Sequence, residues 1–163
     1  MRHVKLELEL DERRGRIEGW ARLGLHPIHE LSRVELDAVD REVRRVVLNG
    51  KRELEFAAPP DTLFITLDRA YGSTSVLELA IEYAAQPQKG LFFVRPDRAY
   101  PRKPWQVWSQ GESEDNRHWF PCWDLPNDKA TSELVITVRD RFTALSNGRL
   151  ISATHDRRRR TRT

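Results

Sequence analysis

A chain of 163 residues, 39% hydrophobic and 33% charged, has room for one domain with a real core and too little for two, and its composition excludes wholesale disorder. No run approaches the roughly 18 apolar residues of a membrane span, the opening MRHVKLELELDE lacks the unbroken apolar segment of a secretory leader, and one cysteine makes neither an internal disulfide nor, by itself, a metal site. The pI of about 9.3 has a local origin: Arg157 to Arg160 and Arg162 end the chain beside Asp156, and without these eight terminal residues the net charge falls from +3 to −1.

The setting expected from these totals is cytoplasmic, with neither nucleic acid nor membrane among the partners. Residues 152–163 are expected to be an Arg-rich tail, solvated or incomplete.

Period-two alternation runs from the start. Val4, Leu6, Leu8 and Leu10 face one way, and Lys5, Glu7 and Glu9 the other, as in a half-buried antiparallel strand. Asp11 to Gly15 supplies a turn, and Ile17, Gly19, Ala21, Leu23 and Leu25 resume the pattern, so the two runs read as a hairpin. Gly19 and Ala21 are expected to leave room for bulky side chains on an adjoining strand.

Val34, Leu36 and Ala38 restart the alternation after Pro27. Val43 to Leu48 then meets Asn49-Gly50, a pair that populates the positive φ angles of a tight hairpin turn, with Leu54 and Phe56 on the return. Leu63, Ile65 and Leu67 form a further run, the turn at Gly72-Ser73 reverses it, and Leu77, Leu79, Ile81 and Tyr83 follow. Leu91 to Val94 is a short buried strand, and Pro96, Pro101 and Pro104 keep the next stretch extended over the surface. About seven short strands at this spacing, without helical periodicity, predict an all-β sandwich or curled sheet.

Trp105 to Lys129 stands apart. It holds four of the five tryptophans, Cys122, and the polar run Ser109 to Asn116 between aromatic flanks. A polar segment pinned by bulky anchors is how a scaffold presents a binding loop. Asp115 to Phe120 is expected to form one helical turn. Leu134, Ile136 and Val138 give a last firm strand, and Asn147-Gly148 turns the chain towards Leu150-Ile151 in a hairpin that looks unfinished.

Complete catalytic machinery is missing. His26 and His29 have an H-x-x-H spacing, but Pro27 prevents a regular helix through them and no Glu follows His26, so the zinc-protease H-E-x-x-H pattern is absent. Cys122 lies between apolar neighbours that raise a thiol's pKa and keep it inert. Glu112, Glu114 and Asp115 form a carboxylate cluster that reads either as solvated surface charge or as a ligand for a cation or a primary ammonium.

One resemblance separates those alternatives. Gln110-Gly111-Glu112 with Asp115-Asn116-Arg117, then Phe120-Pro121-Cys122-Trp123-Asp124-Leu125-Pro126 and Lys129-Ala130-Thr131, resembles the amino-terminal domain of the aminopeptidase N-like zinc metallopeptidases. The family pattern is Q-x-E, D-x-R, F-P-C-[FYW]-D-x-P and K-A-T in that order. Val47 to Gly50, Ile81 to Tyr83, Gly90 to Phe93 and Ala144 to Gly148 look like the same saddle-shaped β domain, so the likeness extends to about Ile151.

The resemblance implies that Glu112 binds the α-ammonium of a peptide substrate and that Gln110 lines the pocket for its first side chain. Gly111 would permit close backbone approach. Arg117 and Asp124 would pair and brace the loop, with Phe120, Pro121, Cys122, Trp123 and Pro126 packed beneath or beside it. Zinc and its ligands, the nucleophile and the catalytic domain on which this domain packs would belong to a parent protein and not to residues 1–163. The fold expected is an all-β, saddle-shaped antiparallel sheet or sandwich truncated at its C-terminal end, with its core in residues 1–151. This chain alone would be inactive, and the competing reading is a non-catalytic interaction module of the same fold.

Overall fold

The first hairpin sets the frame of the molecule. In a computed structural model describing residues 1–163, β1 (His3–Asp11) pairs antiparallel with β2 (Arg16–Leu25) from His3↔Gly24 to Asp11↔Arg16. Asp11 Oδ1 closes the turn by accepting hydrogen bonds from the backbone amides of Arg13 and Arg14, both at 3.0 Å. Gly19 tolerates no side chain for a different reason from the one expected: a Cβ there would lie 2.0 Å from the Glu7 carbonyl oxygen, so the neighbouring backbone, and not a bulky side chain, occupies the space.

The chain then alternates between layers. β3 (Leu31–Asp37), β6 (Phe56–Ala57) and β7 (Thr62–Tyr71) form a three-stranded sheet ordered β3-β7-β6. β4 (Arg41–Leu48), β5 (Arg52–Glu53) and β8 (Leu77–Ala85) join the large sheet instead. Asn49 and Gly50 adopt φ of 50° and 66°, and the Lys51 amide donates to the Leu48 carbonyl at 3.0 Å, which is the tight turn predicted. Its return arm is short: Leu54 is buried beside Val46, and Phe56 has already crossed to the smaller sheet. The Gly72-Ser73 turn likewise carries the chain from one layer to the other and does not join a paired hairpin, since β7 and β8 lie in different sheets.

β9 (Leu91–Val94) and β10 (Gln106–Ser109) make a separate two-stranded ribbon. β11 (Thr131–Arg139) returns to the large sheet parallel to β1, with Leu6 opposite Leu134 and Leu8 opposite Ile136. The large sheet is therefore mixed and not purely antiparallel. β12 (His155–Asp156) and β13 (Thr161–Arg162) extend it, giving the order β12-β13-β11-β1-β2-β8-β4-β5. Around Asn147-Gly148 no strand forms, and Leu145, Leu150 and Ile151 are exposed, so the hairpin expected there is found later, between residues 155 and 162. The one helical element is a 3-10 turn, Asn116–His118, and no helix is long and apolar enough to cross a membrane.

Two cores lie on the inner face of the large sheet. The larger packs Leu23, Val46, Leu79 and Ile81 against Val34, Leu36, Leu63 and Ile65 of the three-stranded sheet. The smaller packs Leu6, Leu8, Ile17, Ala21 and Tyr83 against Leu91, with Phe93, Val107, Trp119 and Phe120 at its edge. The segment singled out in the sequence is thus fastened to the second core. On the outer face, Ala80 and Ala84 of β8 are buried, although that face is charged. They stand opposite Arg22 and Glu18 of β2 in the sheet register.

Candidate functional site

The loop leaves β10 at Ser109 and is seated on Gly90. The Gln110 amide donates to the Gly90 carbonyl at 2.9 Å, and Gly90 has φ +72°. A Cβ at Gly90 would lie 2.0 Å from the Asp115 carbonyl oxygen and 2.9 Å from the Trp119 indole, so the loop's far side rests directly on this glycine. The Asp115 amide donates to the Gly111 carbonyl at 3.0 Å, closing the loop on itself, and Glu112 and Ser113 stand at its exposed apex.

Gly111 is packed beneath Asn116. A Cβ there would sit 2.3 Å from Asn116 Oδ1, which itself accepts from Trp119 Nε1 at 3.3 Å. The Trp119 carbonyl in turn accepts from Tyr83 Oη at 2.9 Å, and Tyr83 is fully buried in the second core. A chain of contacts therefore runs from the loop glycine into the hydrophobic interior. Burial pushes the Tyr83 hydroxyl's pKa well above its ordinary value, so it acts as a neutral donor.

Arg117 organises the other side. Its Nε donates to Asp124 Oδ2 at 3.2 Å, its backbone amide donates to the same oxygen at 3.0 Å, Nη1 reaches Asp37 at 3.2 Å and Nη2 reaches Glu114 at 3.0 Å. Burial works against the cation, but the Asp124 hydrogen bond and the three negative charges outweigh it and hold its pKa above the usual arginine value. Asp37 also pairs its backbone with Cys122 in both directions, at 2.8 and 3.0 Å.

Alternation along this bridge decides which side chains turn inward. Cys122 is 4% exposed and the Asp124 side chain 2%, whereas Trp123 between them is 44% exposed, its Nε1 donating to Asn127 at 2.9 Å. Trp123 is therefore not packed beneath the loop as expected. Pro121 is buried, Phe120 is half-buried with its ring edge-on to Trp119 at 4.6 Å, and Pro126 is exposed. Burial, then the charges of Asp124 and Asp37, push the Cys122 thiol far up, so it is no nucleophile. Trp108 stacks on Phe92 at 4.5 Å and is 42% exposed, a rim position next to the loop.

The three carboxylates part company. Glu114 is held by Arg117, and Asp115 lies 3.9 Å from His118 Nε2, while the other nitrogen of that ring lies 3.6 Å from Asp40. Glu112 has no ion-pair or hydrogen-bond partner, and neither does the Gln110 side chain. No group of three His, Cys, Asp or Glu side chains converges to hold a metal ion, so the residues of this chain do not fit a zinc centre. Sequence reasoning had not assigned roles to Gly90, Asn116, Asp37 and Tyr83. The signal for Gly90 is a glycine directly before a buried strand, and that for Tyr83 is its place on the apolar face of the Leu77 to Tyr83 alternation; Asp37 gives none.

This fold, one mixed eight-stranded sheet with two smaller antiparallel sheets, has solved counterparts in the class of M1 zinc metallopeptidases. An M1 zinc metallopeptidase from Deinococcus radiodurans, crystallised with a Tyr-Ser-Ala substrate, superposes with a TM-score of 0.82 at 25% identity over 99% of this chain. The chain belongs to the Peptidase M1 N-terminal domain family, whose model matches residues 1–163. It is also similar to aminopeptidase B of Mus musculus, 31% identical over 83 residues or 51% of this chain. Transcription initiation factor TFIID subunit 2 of Danio rerio is 36% identical over 117 residues, or 69% of it. The chain spans 37% of the solved metallopeptidase and only 13% and 9% of these two relatives.

Proposed function

We propose that this chain is the amino-terminal domain of a zinc aminopeptidase and that Gln110-Gly111-Glu112 receives the amino end of the peptide. The observation that carries this reading is the contrast among the loop's acids. Glu114 is neutralised by Arg117 and Asp115 faces His118, but Glu112 is presented at the apex with no partner. A carboxylate held on a braced loop and left unpaired suits a primary ammonium, which would complete it through a charge-assisted hydrogen bond. Gln110, also unpartnered, lines the place where the first side chain would lie.

Selectivity follows from the same chemistry. An acetylated or internal peptide brings no ammonium and leaves the carboxylate unsatisfied once a second domain shields it from water. Zinc and its ligands lie outside this chain, which by itself is inactive. The Deinococcus relative, a mutant bound to a Tyr-Ser-Ala substrate, supports the reading in that its substrate is a short peptide. The alternative, a non-catalytic interaction module of the same fold, has less support, since a scaffold has no need of a free Gln110 and Glu112.

Steady-state kinetics test the assignment. In the protein joined to its catalytic half, Glu112→Gln is expected to raise KM for aminoacyl anilides about tenfold or more, the scale of a lost charge-assisted bond. An unchanged KM would remove Glu112 from the role. Coding sequence beyond Thr163 without H-E-x-x-H would remove the enzyme assignment itself, and hydrolysis by the isolated chain with zinc would overturn its predicted inactivity.

A further inference from the structure

One hollow of the molecule contains no residue of the 110–124 segment. It has a volume of about 620 Å³ and lies between the β1–β2 turn, the end of β11 and the β12–β13 hairpin. Seven arginines line it: Arg13, Arg14 and Arg16 from the first turn, Arg139 and Arg141 from the end of β11, and Arg159 and Arg160 from the hairpin. Four acids line it with them, Glu9, Asp11, Glu18 and Asp140, and no lysine does, so the wall carries a net charge of +3.

The two turns that flank the hollow are built alike. In Asp11-Glu12-Arg13-Arg14 the Asp11 Oδ1 accepts from the amides of Arg13 and Arg14 at 3.0 Å each. In Asp156-Arg157-Arg158-Arg159 the Asp156 Oδ1 accepts from the amides of Arg158 and Arg159 at 2.9 and 3.0 Å. Each turn spends an aspartate on its own backbone and projects consecutive arginines from it.

The acids that remain are already engaged. Glu9 takes two bonds from Arg159 at 2.6 and 2.9 Å, Asp140 is 3.7 Å from both Arg160 and His155, and Glu18 is shared between Arg16 and Arg44. Arg139 and Arg141 share the one buried carboxylate of Glu12, at 2.9 and 3.3 Å, and Arg13 has no acidic partner. Elsewhere on the outer face of the large sheet the cations are matched, as in Lys5 with Glu7 and Glu133, or Arg22 with Glu7 and Glu78. The unmatched positive charge gathers at this end of the sheet: Arg13 in the wall of the hollow, and Arg157, Arg158 and Arg162 of the hairpin beside it, make no ion pair.

We infer that this hollow is a binding site for a chain of phosphates, an anion of the oligophosphate class. Guanidinium forks meet phosphate oxygens in pairs and are less strongly hydrated than ammonium, so a wall of arginine without lysine suits a multiply charged phosphate better than a single carboxylate. The concave wall between two turns adds focusing of the field to the charge itself. The same chemistry is offered by a free oligophosphate and by a nucleic-acid backbone.

Calorimetric titration of the 163-residue chain with tripolyphosphate, at about 50 mM salt, tests the site. Saturable binding that weakens with added salt is expected. Arg13→Ala with Arg160→Ala should weaken it about tenfold or more, and the two Arg→Lys replacements should weaken it less, because they keep the charge and lose the fork. Arg13 lacks an acidic partner and Arg160 is 80% exposed, so neither change disturbs the fold, which a matching thermal unfolding curve checks. Arg149→Ala, at an exposed arginine outside the hollow, should change nothing. Displacement of tripolyphosphate by a single-stranded oligonucleotide at equal phosphate concentration assigns the natural ligand to a nucleic-acid backbone, and failure to displace assigns it to a free oligophosphate. No binding by either probe, or equal losses in the Arg149→Ala and Arg13/Arg160 variants, overturns the site.

Discussion

Asp124 accepts two hydrogen bonds from one residue, the backbone amide of Arg117 at 3.0 Å and its Nε at 3.2 Å, from a side chain only 2% exposed. That single carboxylate ties the 3-10 turn after the loop to the bridge through Cys122, while Asp37 and Glu114 complete the guanidinium's shell. Removing it leaves a half-buried cation beside an unsatisfied amide. Asp124→Ala should therefore lower stability by about 3 kcal/mol, read as a shift of the urea midpoint. A loss below about 0.5 kcal/mol, the size of an ordinary surface change, would mean the pair braces nothing.

The seat of the loop makes a second prediction. Gly90 combines φ +72° with a carbonyl oxygen 2.0 Å from where a Cβ would stand, and backbone cannot yield as a side-chain end can. Gly90→Ala should cost about 2 kcal/mol or more and push the loop off β9. Gly111→Ala meets only the amide end of Asn116, which can rotate away. It should cost less and register as a change in Trp119 environment, since the Asn116 to Trp119 bond is lost. Equal losses at the two glycines would contradict the assigned contacts.

Local pattern and long-range pairing differ in how far they can be read from the chain. The first hairpin and the Asn49-Gly50 turn were legible because alternation and positive φ are properties of a few neighbouring residues. Alternation says that β7 and β8 are strands but not which sheet each joins, so the Gly72-Ser73 turn looked like a hairpin and proved to be a crossing between layers. The parallel union of β1 with β11 brings together residues more than a hundred positions apart, and nothing local announces it. At the site, the order of motifs pointed to Gln110 and Glu112, yet an aromatic in F-P-C-W-D reads as core. Strand parity turns Trp123 outward between the inward Cys122 and Asp124.

Alkaline pH should destabilise the fold through Cys122 first. Burial, then the carboxylates of Asp124 and Asp37, raise the folded thiol's pKa far above that of the unfolded chain. Above about pH 8.5 the unfolded state therefore binds fewer protons than the folded one, and stability falls with rising pH by up to about 1.4 kcal/mol per unit. Tyr83, also raised by burial, adds the same sign above about pH 10. Urea midpoints at pH 7 and 9.5 should show the fall in the native chain and a much flatter response in Cys122→Ala. Parallel slopes in the two proteins would exclude the thiol as its source.

The acids of the loop should separate in stability measurements made on this chain alone. Glu112 is exposed and touches no partner, so Glu112→Gln is expected to leave the urea midpoint within about 0.5 kcal/mol of the starting value. Glu114 lies 3.0 Å from Arg117 but is 49% exposed, which limits the cost of Glu114→Gln to about 1 kcal/mol or less. A carboxylate that contributes nothing to its own fold is free to contribute to a ligand. If Glu112→Gln instead destabilised the chain as much as Asp124→Ala, Glu112 would be a structural residue and its availability to a substrate amine would be lost.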